Sequence, residues 1–130
     1  MKILGIDYGT KRVGIALSND TQSVAFPRGV LPNDAMLVKK ISALIADEGV
    51  REVVLGYSKN YHQKDNLVMK DILAFKNILV EETGVSVYFE PEILTSQQAM
   101  RIQGDIAMLD ASAAALILQT FLQRRHGFEL

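Results

Sequence analysis

The chain has no cysteine, no tryptophan and only three prolines among its 130 residues. Without cysteine there is no disulfide framework and no thiolate metal site. No apolar run approaches the roughly 18 residues that a membrane-spanning helix needs. Asp7 follows Met1-Lys2-Ile3-Leu4-Gly5 too soon for the apolar region of a signal peptide. Histidine is scarce: His62 and His126 stand alone, each without a second His at ligand spacing. The phosphate-binding Gly-x-x-x-x-Gly-Lys-Ser/Thr motif is absent. Gly5-Ile6-Asp7-Tyr8-Gly9 lacks the third glycine of a dinucleotide fingerprint, and no serine has the glycine pattern of a nucleophile elbow. The simplest expectation is a cytoplasmic protein with no membrane partner.

An excess of either charge is missing as well, since 14 Lys/Arg oppose 15 Asp/Glu for a net charge of −1. The balance is uneven along the chain. Residues 1–64 carry nine basic against six acidic side chains, and residues 65–130 carry five against nine. The overall basic footprint of a tight nucleic-acid binder is therefore lacking. A local patch around Lys11, Arg12, Arg28, Lys39, Lys40, Lys59 and Lys64 is still compatible with the numbers. What is present is ordinary globular composition, 48% hydrophobic and 22% charged. The length suits one core, so residues 1–130 are expected to form a single domain.

Hydrophobic periodicity sets the order of elements. Ile3, Leu4 and Ile6 form a short apolar run ending at Asp7, and Val13, Ile15 and Leu17 alternate with small residues, so both segments read as strands. The intervening Tyr8-Gly9-Thr10-Lys11-Arg12 reads as a turn, with Gly9 free to take a positive φ. A third strand is expected over Ser23–Val30, and the short connections suggest an antiparallel meander. Leu37, Ile41, Leu44 and Ile45 fall at helical spacing, with Asn33 or Asp34 as N-cap and Gly49 as the stop. Glu52–Gly56 reads as a buried strand and Ser58–Asn66 as a polar loop. Val68, Ile72, Phe75 and Leu79 mark a second helix stopping at Gly84, and Val85–Glu90 a fifth strand. Thr95 and Gln98 form a capping-box pattern that would open a third helix, and Asp110 to about Arg125 reads as the last. The order β-β-β-α-β-α-β-α-α predicts an α/β fold: a five-stranded mixed sheet with helices on its faces.

The chemistry-bearing residues that remain are acidic. Asp7 closes a buried strand just before a glycine turn, where a carboxylate is costly unless paired, capping or bound to a cation. Glu92 lies just past the fifth strand, and Asp110 starts the Ala-rich last helix. In an open α/β sheet, strand ends and helix starts collect on one edge. Three carboxylates converging there would raise one another's pKa unless a divalent cation neutralised them, and oxygen ligands of this kind suit Mg²⁺ or Mn²⁺. Each residue also has an ordinary reading: Asp7 as a turn cap, Glu92 as a solvated strand-end residue, Asp110 as a helix N-cap.

The run Leu4-Gly5-Ile6-Asp7-Tyr8-Gly9-Thr10-Lys11-Arg12-Val13-Gly14-Ile15-Ala16 resembles the opening motif of the YqgF-like proteins, also called Holliday junction resolvase-like proteins or pre-16S rRNA nucleases. Val53-Val54-Leu55-Gly56 is similar to that family's central strand. Glu92-Ile93-Leu94-Thr95-Ser96-Gln97-Gln98-Ala99 resembles its Asp-Glu-Arg-Leu-Thr-Thr-x-x-Ala segment, and Leu109-Asp110-Ala111-Ser112-Ala113-Ala114-Ala115-Leu116-Ile117-Leu118-Gln119 its final-helix motif. The four motifs occur in order over nearly the whole chain. The resemblance implies an RNase H-like fold and a metal-dependent nuclease that uses Mg²⁺ or Mn²⁺ to hydrolyse phosphodiester bonds. It also implies a role in maturing the 5′ end of pre-16S rRNA, with structured RNA as partner and branched DNA as the alternative substrate. It carries over Asp7, Glu92 and Asp110 as catalytic and metal-binding acids. Lys11, Arg12, Lys59 and Lys64 are the basic residues expected to touch nucleic acid.

The chain departs from the family pattern at defined places. Pro91 stands at the Asp of the Asp-Glu-Arg segment and Ile93 at its Arg, which removes a bidentate phosphate or carboxylate partner. Gly104-Asp105-Ile106-Ala107-Met108 has no positive charge where the family is basic, Tyr57-Ser58 replaces a Leu-Pro pair, and Asn60–Asn66 replaces a glycine-bearing loop. These changes favour a rival, a non-catalytic RNA- or ribosome-assembly-binding protein, while the retained acids favour the nuclease. A further rival arises because Asp7-Tyr8-Gly9-Thr10 also resembles the phosphate loop of actin-like and sugar-kinase ATPases. Those enzymes clamp nucleotide between two such domains, and 130 residues supply one.

Overall fold

The structure is a computed structural model that describes residues 1–57, 65–91 and 106–126, with backbone alone at 57, 65–69, 91 and 106–110. Five strands are seen: β1 (Ile3–Tyr8), β2 (Arg12–Ser18), β3 (Ala25–Pro32), β4 (Glu52–Tyr57) and β5 (Ser86–Pro91). The described helices are α1 (Leu37–Glu48), α2 (Asp65–Thr83) and α3 (Ile106–Arg125). The sheet order is β3-β2-β1-β4-β5. β2 runs antiparallel to both β1 and β3, whereas β1, β4 and β5 are mutually parallel. The expected mixed sheet and its leading meander are both present.

Strand alternation divides the apolar residues between two faces. Leu4, Ile6, Val13, Ile15 and Leu17 pack with Leu37, Ile41 and Ile45 of α1 and Ile72, Phe75 and Leu79 of α2. Ile3, Ala16 and Val54 face α3, against Ala114, Ile117, Leu118 and Leu122. Each fully buried Leu or Ile contributes about 1.5–3 kcal/mol, so both faces hold helices firmly. Among the described residues no helix is long and apolar enough to cross a membrane.

Several boundaries differ from the sequence expectation, each for a local reason. β3 starts at Ala25 and continues through Pro27 to Pro32. Prolines are tolerated because β3 is an edge strand, and the β2–β3 register shifts between Ile15 and Ala16. The residue before α1 is Met36, which makes no side-chain cap. Asp34 supplies the stop in its place: its Oδ1 accepts from Met36 N–H at 2.9 Å and its carbonyl from Leu37 N–H at 3.1 Å. α1 and α2 end as expected, each followed by a left-handed glycine, Gly49 and Gly84. α2 begins at Asp65, inside the stretch expected to be loop, and α3 begins at Ile106. Asp110 is therefore not an N-cap but lies in the second turn. The helix expected to open at Thr95 lies outside the described residues.

Candidate active site

Asp7 is the penultimate residue of β1 and is half-buried. Its ladder partners are Gly14 of β2 and Gly56 of β4, so no neighbouring side chain on either strand crowds the carboxylate. Alternation puts Asp7 on the same face as Ile3 and Gly5, the face covered by α3. That helix lies close. A Cβ on Gly5 would stand 2.8 Å from Leu118 Cβ and 3.1 Å from the Ala114 carbonyl, and one on Gly56 only 2.3 Å from Ile117 Cδ1. The two glycines are what allow α3 to seat on β1 and β4.

The direction of α3 follows from its C-terminal contacts. His126 Nε2 lies 2.8 Å from the Gln22 carbonyl, and the Gln22 amide donates to the Met1 carbonyl at 2.9 Å. The end of α3 thus lies beside the start of β1, and its beginning points toward the end of β1 that carries Asp7. Position 110 lies one turn before Ala114 on the same helix stripe. A turn advances about 6 Å along a helix, much as two residues do along a strand. The backbone therefore brings position 110 to the same sheet edge as Asp7. In the parallel half of the sheet, Asp7, Gly56 and Glu90 form one row. Glu92 follows that row by two residues but lies outside the described residues. So do Lys59, Lys64 and the side chain of Asp110. Among the described residues, no three His, Cys, Asp or Glu side chains form a group able to hold a metal.

The turn after Asp7 is pinned to the end of β3. Asn33 Nδ2 donates to the Gly9 carbonyl at 2.7 Å, and Asn33 N–H to the Lys11 carbonyl at 2.9 Å. Gly9 does not take the expected positive φ. It is required for closeness, because a Cβ there would stand 2.4 Å from the Arg12 carbonyl oxygen. The side chains of Lys11 and Arg12 are exposed beside this edge.

One residue of this row escaped the sequence reading. Glu90 is buried, with 4% of its surface exposed, and is ion-paired with Arg124 of α3. The pair ties the end of β5 to the last turn of the helix. Its partner is 34 residues away, so only the even-residue alternation of β5, which turns Glu90 toward α3, could have flagged it. A second tie lies lower on the same face. Arg125 binds Glu52 through both oxygens, at 2.6 and 3.0 Å, and stacks over Tyr88 and Phe121. The guanidinium holds the Glu52 carboxyl below the usual range, and Glu52 raises Arg125 in return.

The sheet order and connections define the class, nucleases with an RNase H-like fold. RuvC of T. thermophilus, solved with a Holliday junction substrate, matches 98% of this chain and 96% of its own with a TM-score of 0.65 at 17% identity. The Fowlpox virus resolvase, solved with Holliday junction DNA, matches at a TM-score of 0.58 and 11% identity, covering 96% of this chain and 99% of that one. Residues 1–124 match the family described as RuvX: Holliday junction resolvase, and the chain belongs to that family. Proteins named "Putative pre-16S rRNA nuclease" from Nitratidesulfovibrio vulgaris and Chlorobaculum tepidum are each 34% identical to it over 132 residues. The first alignment covers 94% of this chain and 93% of the relative, the second 93% and 92%. The resemblance read from the motifs is borne out.

Proposed function

We propose that residues 1–130 act as one nuclease domain that hydrolyses phosphodiester bonds in pre-16S rRNA at the edge where β1, β4 and β5 end. The observation that carries this reading is the placement of Asp7 on the α3 face, flanked by glycines, with position 110 brought to the same edge by the close seating of α3. Asp7, Asp110 and Glu92 form an all-oxygen donor set, the chemistry that suits Mg²⁺ or Mn²⁺. The space left by Gly14 and Gly56 beside Asp7 fits such an ion. When bound, divalent ions lower the pKa of a water and stabilise the leaving oxygen. The chain's own residues hold and orient. Asp7 is fixed by its ladder position, while Lys11 and Arg12 beside it, with Lys59 and Lys64, neutralise phosphates as the substrate docks.

Branched DNA is the second reading, favoured by the family description and by the Holliday junction complexes of the structural relatives. Side-by-side cleavage assays on pre-16S rRNA fragments and four-way DNA junctions in Mn²⁺ decide the substrate. Preferential cleavage of the RNA is the expected result, and junction cleavage alone would transfer the assignment to DNA. Binding of both without cleavage would support the non-catalytic reading that Pro91 and Ile93 favour.

A further inference from the structure

β3 is an edge strand, and between it and α1 runs a groove of about 410 Å³. Its floor is apolar, formed by Ile15, Leu31 and Leu44, and its walls carry Arg28 and Lys40. Asp47 is the one acid that lines it. Where β3 passes Gly29, a Cβ would meet nothing within 4 Å, so the missing side chain keeps the groove open.

Charge in the groove is poorly compensated. Lys39 and Lys40 have no ion-pair partner among the described residues. Arg28 reaches only Glu48, at 3.8 Å, and that carboxylate is already bound to Lys2 at 2.8 Å. The groove also joins the proposed active edge. Arg12 pairs with Pro32, and Asn33 is bonded to the Gly9–Lys11 turn. β3 then leads from Leu31 past Arg28 to Phe26, a distance of about 17 Å along a strand. Phe26 pairs with Leu17, whose side chain lies in the α1/α2 core, and therefore stands on the groove's face of the sheet; it is 53% exposed.

Cations along a path that ends in an exposed ring match the pattern that proteins use to hold single strands, with phosphates on the cations and a base stacked on the ring. We propose that the β3–α1 groove binds a single-stranded segment of the polynucleotide substrate leaving the active edge. Arg28 and Lys40 contact its phosphates and Phe26 stacks on a base. The proposal rests on the nuclease reading for its substrate class, but its binding step is separable from cleavage.

The test is fluorescence anisotropy with labelled oligouridylate and oligothymidylate in chelator, where no cleavage interferes. Arg28→Ala/Lys40→Ala should weaken binding about tenfold and flatten the salt dependence by roughly one unit of slope. Phe26→Ala should weaken it about five- to tenfold with the salt slope unchanged. Asp7→Asn should bind as the wild type does. Equal losses on both oligonucleotides support the groove, because neither the cations nor the ring reads the 2′-hydroxyl. Unchanged affinity in both groove variants would overturn it. So would losses of equal size on a blunt duplex that has no single-stranded segment. Failure of the wild type to cleave RNA in Mn²⁺ would instead count against the nuclease reading and leave these binding outcomes readable.

Discussion

Glycine carries as much of this site as the carboxylate it surrounds. Gly14 and Gly56 stand beside Asp7 in the ladder, and Gly5 and Gly56 take the underside of α3. Gly5 is the more demanding, since its neighbours are the Leu118 Cβ and a main-chain carbonyl rather than a mobile side-chain tip. Gly5→Ala should cost about 1–3 kcal/mol, the range for overpacking a filled core, and lower the melting temperature by several degrees. It should also reduce cleavage more than the lost stability explains, because α3 must shift and takes position 110 with it. Thermal melts and cleavage rates on the same variant check both effects; a fully active, equally stable Gly5→Ala would show that α3 is not seated as described.

Two ion pairs fasten α3 to the parallel half of the sheet, Arg124 to Glu90 of β5 and Arg125 to Glu52 of β4. The second has a defined pH signature. Glu52's folded-state pKa is depressed, first by its hydrogen bond to Arg125. Its contribution is therefore present above the unfolded value of about 4.3 and is lost as pH falls through the lower folded value. Glu52→Gln should be less stable than wild type at neutral pH by up to about 1 kcal/mol, the range for solvent-accessible pairs. The two proteins should converge in acid, and urea melts across that window measure the gap. A gap that stayed constant with pH would mean that the pair contributes by packing alone. These ties also mark where sequence reasoning stops. The alternation of Ile3 to Ile6 and Val13 to Leu17 was enough to place β1 and β2, and the helical spacing from Leu37 to Ile45 placed α1. Glu90 and Arg124 are 34 residues apart, and nothing local in either segment pairs them. The start of α2 at Asp65 was hidden for the opposite reason: its first turn is as polar as a loop, and its apolar stripe begins only at Val68.

Across the molecule, the strand-end logic that singled out Asp7 rests on topology, and the parallel order of β1, β4 and β5 supplies it: three strands deliver their C-terminal ends to one edge. The basic residues of the first half of the chain border that edge at Lys11 and Arg12 and continue along α1 and β3, so the nearly neutral total conceals a polarised surface. Asp7 lies where these features meet, and it was readable because a carboxylate closing an apolar strand has few inexpensive roles. The measurement that decides its role is the melting temperature of wild type and Asp7→Asn, each in chelator and in Mn²⁺. Converging carboxylates repel one another without metal, so Asp7→Asn should be as stable as wild type or slightly more so in chelator. The wild type should gain stability on adding Mn²⁺, and the variant should gain less, because an ion that binds the native state stabilises it in proportion to its affinity. A structural Asp7 predicts the reverse: a loss of roughly 0.5–2 kcal/mol for the variant, as for a missing cap, and equal shifts with Mn²⁺ in both proteins. That outcome would contradict a metal-dependent active site at this edge.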